Sequence, residues 1–197
     1  MDFLNKTFWD NRWKNNNTGW DMKGSIAPII KEYFEKQITV KEASILIPGC
    51  GNAYEAALLA NMGFTDITIV DIAPTLVKNL KEKFKEEASI NIIESDFFDL
   101  KEKQYDLIFE QTFFCALDPK LRQKYAEKMY RLLKDKGILV GLLFDKVFSF
   151  DGPPFGGNRK EYETYFKEYF DFITWKKSNA SILPRQGTEL FIELRKK

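Results

Sequence analysis

Gly49 and Gly51 stand where an apolar run, Ser44-Ile45-Leu46-Ile47-Pro48, gives way to an alanine- and leucine-rich stretch. Glycines at a strand-to-helix turn let the backbone close on a ligand, and the free N–H groups at the helix start suit a polar group. Asp71 closes the next apolar run, Asp66-Ile67-Thr68-Ile69-Val70-Asp71. A carboxylate at that strand end can accept both hydroxyls of a ribose. Ser95-Asp96-Phe97 follows the third run, where an acid beside an aromatic ring can bond an adenine amino group and cover the ring. Glu110-Gln111 ends the fourth run on the same edge. Singly, each has a plain structural alternative: turn glycines, a cap for the helix opened by Pro74, a solvated loop acid. Their coincidence at successive strand ends points to a ligand containing adenosine.

The elements that must hold these residues follow from the same pattern. Short β-branched runs that are apolar on both faces are characteristic of buried parallel strands. Ser44 to Pro48 and Asp66 to Asp71 are such runs; Ile90 to Glu94, Tyr105 to Glu110 and Ile138 to Phe144 read as further strands, the last apolar throughout and therefore central. Ala53 to Met62, closed by Gly63, reads as a helix and completes a right-handed strand–helix–strand unit. Pro74 opens a helix reaching about Glu87, Pro119 opens another ending near Lys134, and Glu161 to Phe170 reads as a third. Phe172 to Trp175 and Glu189 to Leu194 read as two closing antiparallel strands. Alternating strands and helices predict an α/β doubly wound sheet. Three segments fall outside it: the first 25 or so residues, rich in Phe3, Phe8, Trp9, Trp13 and Trp20; the Gly/Pro loop from Phe148 to Asn158; and Ser178 to Gly187. Long loops in compact domains often act as functional lids.

Composition removes several chemistries. The 197 residues suit one domain, with 30 basic and 29 acidic side chains and a net charge of +1. That balance offers no electrostatic footprint for nucleic acid and suggests a monomer or modest dimer. There is no histidine, which excludes Ser-His-Asp and Cys-His catalysis and any His-ligated metal. Two cysteines, Cys50 and Cys115, are too few for a disulfide framework or a structural zinc site, and fit a reducing compartment. Without a signal-peptide pattern or an apolar run of about 20 residues, the expected location is the cytoplasm, away from the membrane. A nicotinamide cofactor and S-adenosylmethionine both satisfy the strand-end residues at this point.

Five segments together resemble the thiopurine S-methyltransferase family, particularly its thiol and halide methyltransferase branch. They are Phe8-Trp9-Asp10-Asn11-Arg12-Trp13 with Thr18-Gly19-Trp20-Asp21; Ile47-Pro48-Gly49-Cys50-Gly51; Val70-Asp71-Ile72-Ala73; Phe113-Phe114-Cys115-Ala116-Leu117-Asp118-Pro119 with Leu121-Arg122; and Gly152-Pro153-Pro154-Phe155. The resemblance spans nearly the whole chain. It implies a Rossmann-like seven-stranded methyltransferase sheet over residues 1–197, with residues 1–25 as an aromatic cap over S-adenosylmethionine and 148–158 as a lid loop. It further implies cofactor contacts from Trp9, Trp13, Trp20, Gly49, Gly51, Asp71, Asp96 and Phe97. Gln111 stands where the branch often has an aromatic residue, and Asn52-Ala53-Tyr54 replaces a more glycine-rich turn.

The expected activity is methyl transfer to a small soft nucleophile such as a thiol, sulfide or halide. The alternatives are an oxygen or nitrogen acceptor, a non-catalytic S-adenosylmethionine-binding protein, and a nicotinamide-dependent oxidoreductase, which the tryptophans disfavour. In-line displacement depends on positioning, and an anionic acceptor needs no general base, so no acid–base or covalent residue is required. Asp21, Pro154 and Phe155 are expected to shape the acceptor side, and Arg185 either to face an anionic acceptor or to be a solvated loop cation. Cys50, inside the turn with no base partner, and Cys115 read as packing residues.

Overall fold

The computed structural model describes residues 4–101 and 103–197. Phe3, counted above among the N-terminal aromatic residues, lies outside the described residues. Seven strands form one sheet: β1 (Ser44–Pro48), β2 (Asp66–Asp71), β3 (Ile90–Glu94), β4 (Tyr105–Gln111), β5 (Leu133–Phe144), β6 (Phe170–Lys177) and β7 (Glu189–Lys196). The order across the sheet is β3-β2-β1-β4-β5-β7-β6. β1 to β5 pair in parallel, whereas β7 runs antiparallel between β5 and β6. The order reverses between β1 and β4, which opens a crevice at the carboxyl ends of these strands.

The doubly apolar runs are explained by what covers each face. Side chains alternate across a strand. Ile45 and Ile47 of β1 point into one core with Ile30, Phe34, Leu59, Leu76 and Leu80, while Leu46 points into a second core with Tyr125, Met129, Tyr162 and Phe166. The first core is covered by α2 (Pro28–Gln37), α3 (Tyr54–Asn61) and α4 (Pro74–Lys83), the second by α5 (Arg122–Leu132) and α6 (Arg159–Phe166). None of the described helices is long and apolar enough to cross a membrane.

Four local differences from the sequence reading have physical reasons. The N-terminal aromatic segment contains a helix, α1 (Lys6–Lys14), capped by Asn5, whose side chain accepts from the Phe8 N–H. α2 was not anticipated; Pro28 at its start and buried Ile30, Tyr33 and Phe34 are the helical signal. The helix expected over 161–170 stops at Phe166, because Phe170 already opens β6 and pairs with Lys196 of β7. The helix expected to reach about Lys134 ends at Leu132, since Leu133 pairs with Tyr105 and begins a 12-residue strand.

Candidate active site

The turn after β1 is a run of alternate left-handed residues: Gly49 (φ +58°), Gly51 (φ +50°) and Ala53 (φ +52°). At Gly49 a β-carbon would lie 2.3 Å from the Phe113 ring, so only glycine lets that ring close over the turn. At Gly51 the β-carbon position faces open space beside the cavity. The Cys50 N–H donates to the Val70 carbonyl at 3.2 Å, tying the turn to β2. Burial keeps both thiols protonated: Cys50 is pushed well above the ordinary thiol value, and Cys115 is raised to about 12.

Asp71 ends β2 beside this turn. Its Oδ1 accepts the Ala73 N–H at 3.0 Å. Burial raises the carboxyl to about 6, opposed by the backbone N–H groups of Ala73, Gly51 and Ile72. Asp96 accepts the Phe98 N–H at 2.8 Å and so caps the short turn Phe97–Asp99. That turn sets Phe97 against Phe113, with ring centroids 5.2 Å apart. Gln111 also reaches the cavity. Beneath it, fully buried Glu110 holds the wall, accepting the N–H groups of Phe113 (2.8 Å) and Phe114 (2.9 Å) and the Tyr125 hydroxyl (2.5 Å). Burial lifts Glu110 to about 7. Glu110 is therefore a wall support rather than a cavity-facing group.

The N-terminal segment folds over these strand ends. Trp20 stands edge-on to both Trp9 (5.6 Å) and Trp13 (5.8 Å), and all three line the cavity. Three contacts hold the segment down. Asp10, buried, accepts the Thr75 N–H at 2.7 Å and so caps α4, whose own cap residue Ala73 has no side-chain bond to offer. Lys6 pairs with Glu94 at 2.5 Å. Asp21 accepts Asn52 Nδ2 at 2.7 Å and the Tyr54 hydroxyl at 3.3 Å, locking the segment to the glycine turn. The sequence reading named Asp10 only within a family-like segment and Asn52 and Tyr54 only as a departure at the turn, and gave none of them a role; their side-chain types carry no signal of pairs so distant in sequence.

On the opposite side, Arg185 is buried and not a solvated loop cation, with 8% of its surface exposed. Its Nη2 donates to the Trp20 carbonyl at 3.1 Å, and Nη1 pairs with buried Glu189 at 3.5 Å. Pro153 and Pro154 reach the cavity; Phe155 does not, and its N–H donates instead to the Cys115 carbonyl at 2.7 Å. Arg122, buried between Phe114 and Tyr162, anchors the same loop through the Gly156 carbonyl at 2.8 Å.

These groups surround one cavity of about 560 Å³, within the usual range for a small-molecule site. Its charges are sorted along the sheet. Carboxylates that line it, Glu55, Asp71 and Asp96, follow β1, β2 and β3, and Asp21 is bonded to the β1 turn. Lining cations Lys146 and Arg185 come from beyond β5 and before β7. Arg12 is the exception, carried by the cap 5.9 Å over the Trp20 ring.

A parallel sheet with an antiparallel β7 between its last two strands, a cavity at the carboxyl edge and a carboxylate ending β2 define a Rossmann-like S-adenosylmethionine-dependent methyltransferase. The fold matches the Burkholderia thailandensis 1,6-didemethyltoxoflavin-N1-methyltransferase solved with S-adenosylhomocysteine, with a TM-score of 0.74, 15% identity, and coverage of 98% of this chain and 87% of that one. The chain belongs to the thiopurine S-methyltransferase family, whose model matches residues 4–195. It is 31% identical over 186 residues to a probable thiol methyltransferase 2 of Arabidopsis thaliana, covering 92% of this chain and 81% of the relative. It is 26% identical over 190 residues to thiocyanate methyltransferase 1 of Brassica oleracea, with the same two coverages of 92% and 81%. The residues present fit S-adenosylmethionine: an open backbone cradle at Gly51, a carboxylate at Asp71, and indole rings that can face a sulfonium cation.

Proposed function

We propose that this enzyme methylates a small soft anion, a thiolate, sulfide, thiocyanate or halide, presented from the cationic side of the cavity. The observation that carries this reading is the charge sorting: carboxylates at the β1–β3 ends and Arg185 with Lys146 at the β5–β7 side. The names of the thiol and thiocyanate methyltransferase relatives agree with it.

In this reading Gly49, Gly51, Asp71, Asp96, Phe97 and Gln111 hold the cofactor's adenosine, and Trp9, Trp13 and Trp20 cover its sulfonium end. S-adenosylmethionine, when bound, supplies a methyl group whose bond to the sulfonium sulfur breaks with its electron pair as the acceptor's lone pair forms the new bond. The chain itself orients and dehydrates. Residues 1–25 cap one side, and the 148–158 lid contributes Pro153 and Pro154 to the other. Arg185, held by Glu189 and the Trp20 carbonyl, places a guanidinium at the acceptor side where water is scarce, its charge partly offset by the Glu189 carboxylate. Asp21 acts by fixing the cap to the glycine turn rather than by touching the acceptor. No proton need be moved: an acceptor that is already an anion needs no general base, so the lack of histidine and the protonated thiols are no obstacle. Free, buried cysteines fit a cytoplasmic enzyme, and balanced charge fits a monomer or modest dimer without a nucleic-acid partner.

The test is headspace detection of methylated product with iodide, bisulfide, thiocyanate and aromatic thiols, alongside oxygen and nitrogen acceptors. Turnover confined to the soft anions supports the proposal. Turnover only with phenols, catechols or amines overturns it.

A further inference from the structure

The acceptor side carries a feature that the anion reading leaves unused. Three phenylalanine rings run outward from Arg185. Its guanidinium lies 5.5 Å from the Phe144 ring at the end of β5. Phe144 meets Phe148 edge-on at 5.2 Å, and Phe148 lies 5.2 Å from Phe150, tilted by only 32°. Phe144 and Phe148 line the cavity, whereas Phe150 is 54% exposed and neighbouring Val147 is 79% exposed. The rings thus lead from a buried cation to solvent. The track is held in place, because the Lys146 carbonyl accepts the Gly157 N–H at 3.0 Å and a β-carbon on Gly156 would sit 2.1 Å from that carbonyl. The segment bearing Phe148 is therefore laced tightly to the Gly/Pro loop that supplies Pro153 and Pro154.

Exposed aromatic rings contiguous with a cavity mark a ligand-binding surface. An inorganic anion has no apolar body to lay against them and gains only from Arg185. An organic thiolate places its sulfur toward Arg185 and buries its carbon skeleton along the rings, a gain proportional to apolar area. Aryl thiolates gain further from offset or edge contacts. Lys146, with Nζ 5.4 Å from the Phe148 ring, adds positive charge along the route.

We propose that Phe148, extended by Phe150, is a specificity-determining residue that favours organic thiolates with an apolar body over inorganic anions. This rests on the soft-anion reading above. It is tested on the full-length enzyme at saturating S-adenosylmethionine, measuring kcat/KM for thiophenol and for iodide as thioanisole and iodomethane released. Phe148→Ala is expected to lower the thiophenol-to-iodide ratio of kcat/KM by about tenfold or more, the size of effect expected when apolar contact is removed from a pocket. Phe150→Ser, at an exposed position where folding is not at stake, lowers the ratio less, by about threefold. Phe148→Trp restores it. A ratio unchanged in both Phe148→Ala and Phe150→Ser, or both acceptors declining together, overturns the proposal while leaving the soft-anion reading intact. Absence of both products from the wild type overturns that reading first.

Discussion

Asp71 sits where two demands conflict, and replacing it with asparagine separates them. Burial raises its carboxyl from 3.8 to about 6, so ionised Asp71 weighs against the folded, cofactor-free chain. The sign follows from linkage: a folded pKa above the unfolded value gives stability that is fully present below about 3.8 and lost as pH rises through about 6. Asparagine keeps an oxygen to accept the Ala73 N–H, now 3.0 Å away, and removes the charge. At pH 8 the cofactor-free Asp71→Asn protein should therefore melt higher than wild type, at about 2–4 °C for each kcal/mol relieved in a chain of this size.

Cofactor affinity should move the other way. A carboxylate accepting two ribose hydroxyls makes charge-assisted bonds that an amide cannot reproduce, and the loss is about 1–3 kcal/mol, or about 5- to 150-fold in Kd. Wild-type affinity should also weaken as pH falls through about 6, because the protonated carboxyl is a poorer acceptor. Asp71→Asn should bind weakly at every pH. Calorimetric titration with S-adenosylhomocysteine at pH 5, 6, 7 and 8, beside thermal melts of the cofactor-free proteins, reads both effects. Reduced affinity joined to a lower melting temperature would make Asp71 a structural cap. Affinity equal to wild type, with no pH dependence in either protein, would remove it from the site.

Two other substitutions probe the supports. Asp10→Ala deletes the carboxylate that caps α4 at Thr75; the loss of about 1–2 kcal/mol should loosen α1, shift the emission of Trp9, Trp13 and Trp20 to the red, and weaken S-adenosylhomocysteine binding. Unchanged emission and affinity would show that Lys6–Glu94 and Asp21 suffice to hold the cap. Glu110, at about 7 in the fold against 4.5 ordinarily, gives stability present below about 4.5 and lost as pH rises through about 7. Urea unfolding should thus weaken by about 2–3 kcal/mol from pH 5 to 8, with Asp71 adding to the lower part of that window. Glu110→Gln should flatten the profile above pH 6, and a profile parallel to wild type would be evidence against it.

The fold was readable from sequence wherever one strand or helix wrote its own pattern. Strands β1 and β2, apolar on both faces because helices cover both, have the bounds read from sequence, as does the half-exposed edge strand β3. So was the placing of Gly49, Gly51, Asp71 and Asp96 on one edge, since parallel strands bring their carboxyl ends together. What escaped was set by partners remote in the chain. Phe170 has the same apolar character in a helix or a strand, and only pairing with Lys196 of β7 decides it. Pro28, Ile30, Tyr33 and Phe34 did carry a helical signal that was passed over. Asp21 and Arg185 were picked out by type, but their bonds to Asn52 and to the Trp20 carbonyl span 31 and 165 residues and leave no local trace.

Those two bonds meet on one dipeptide. Trp20 and Asp21 are adjacent; the Asp21 carboxylate reaches back to Asn52 and Tyr54 beside the glycine turn, while the Trp20 carbonyl accepts from Arg185 just before β7. The Trp20 ring, packed between Trp9 and Trp13, lies between them over the cavity. Displacement chemistry depends on the distance and line between two reactants rather than on a proton donor or acceptor. Such chemistry asks nothing of the histidine this chain lacks or of its two protonated thiols. The cap is therefore more than a cover: in the proposed reading its hydrogen bonds keep the strand ends that would hold adenosine in register with the arginine that would face the anion.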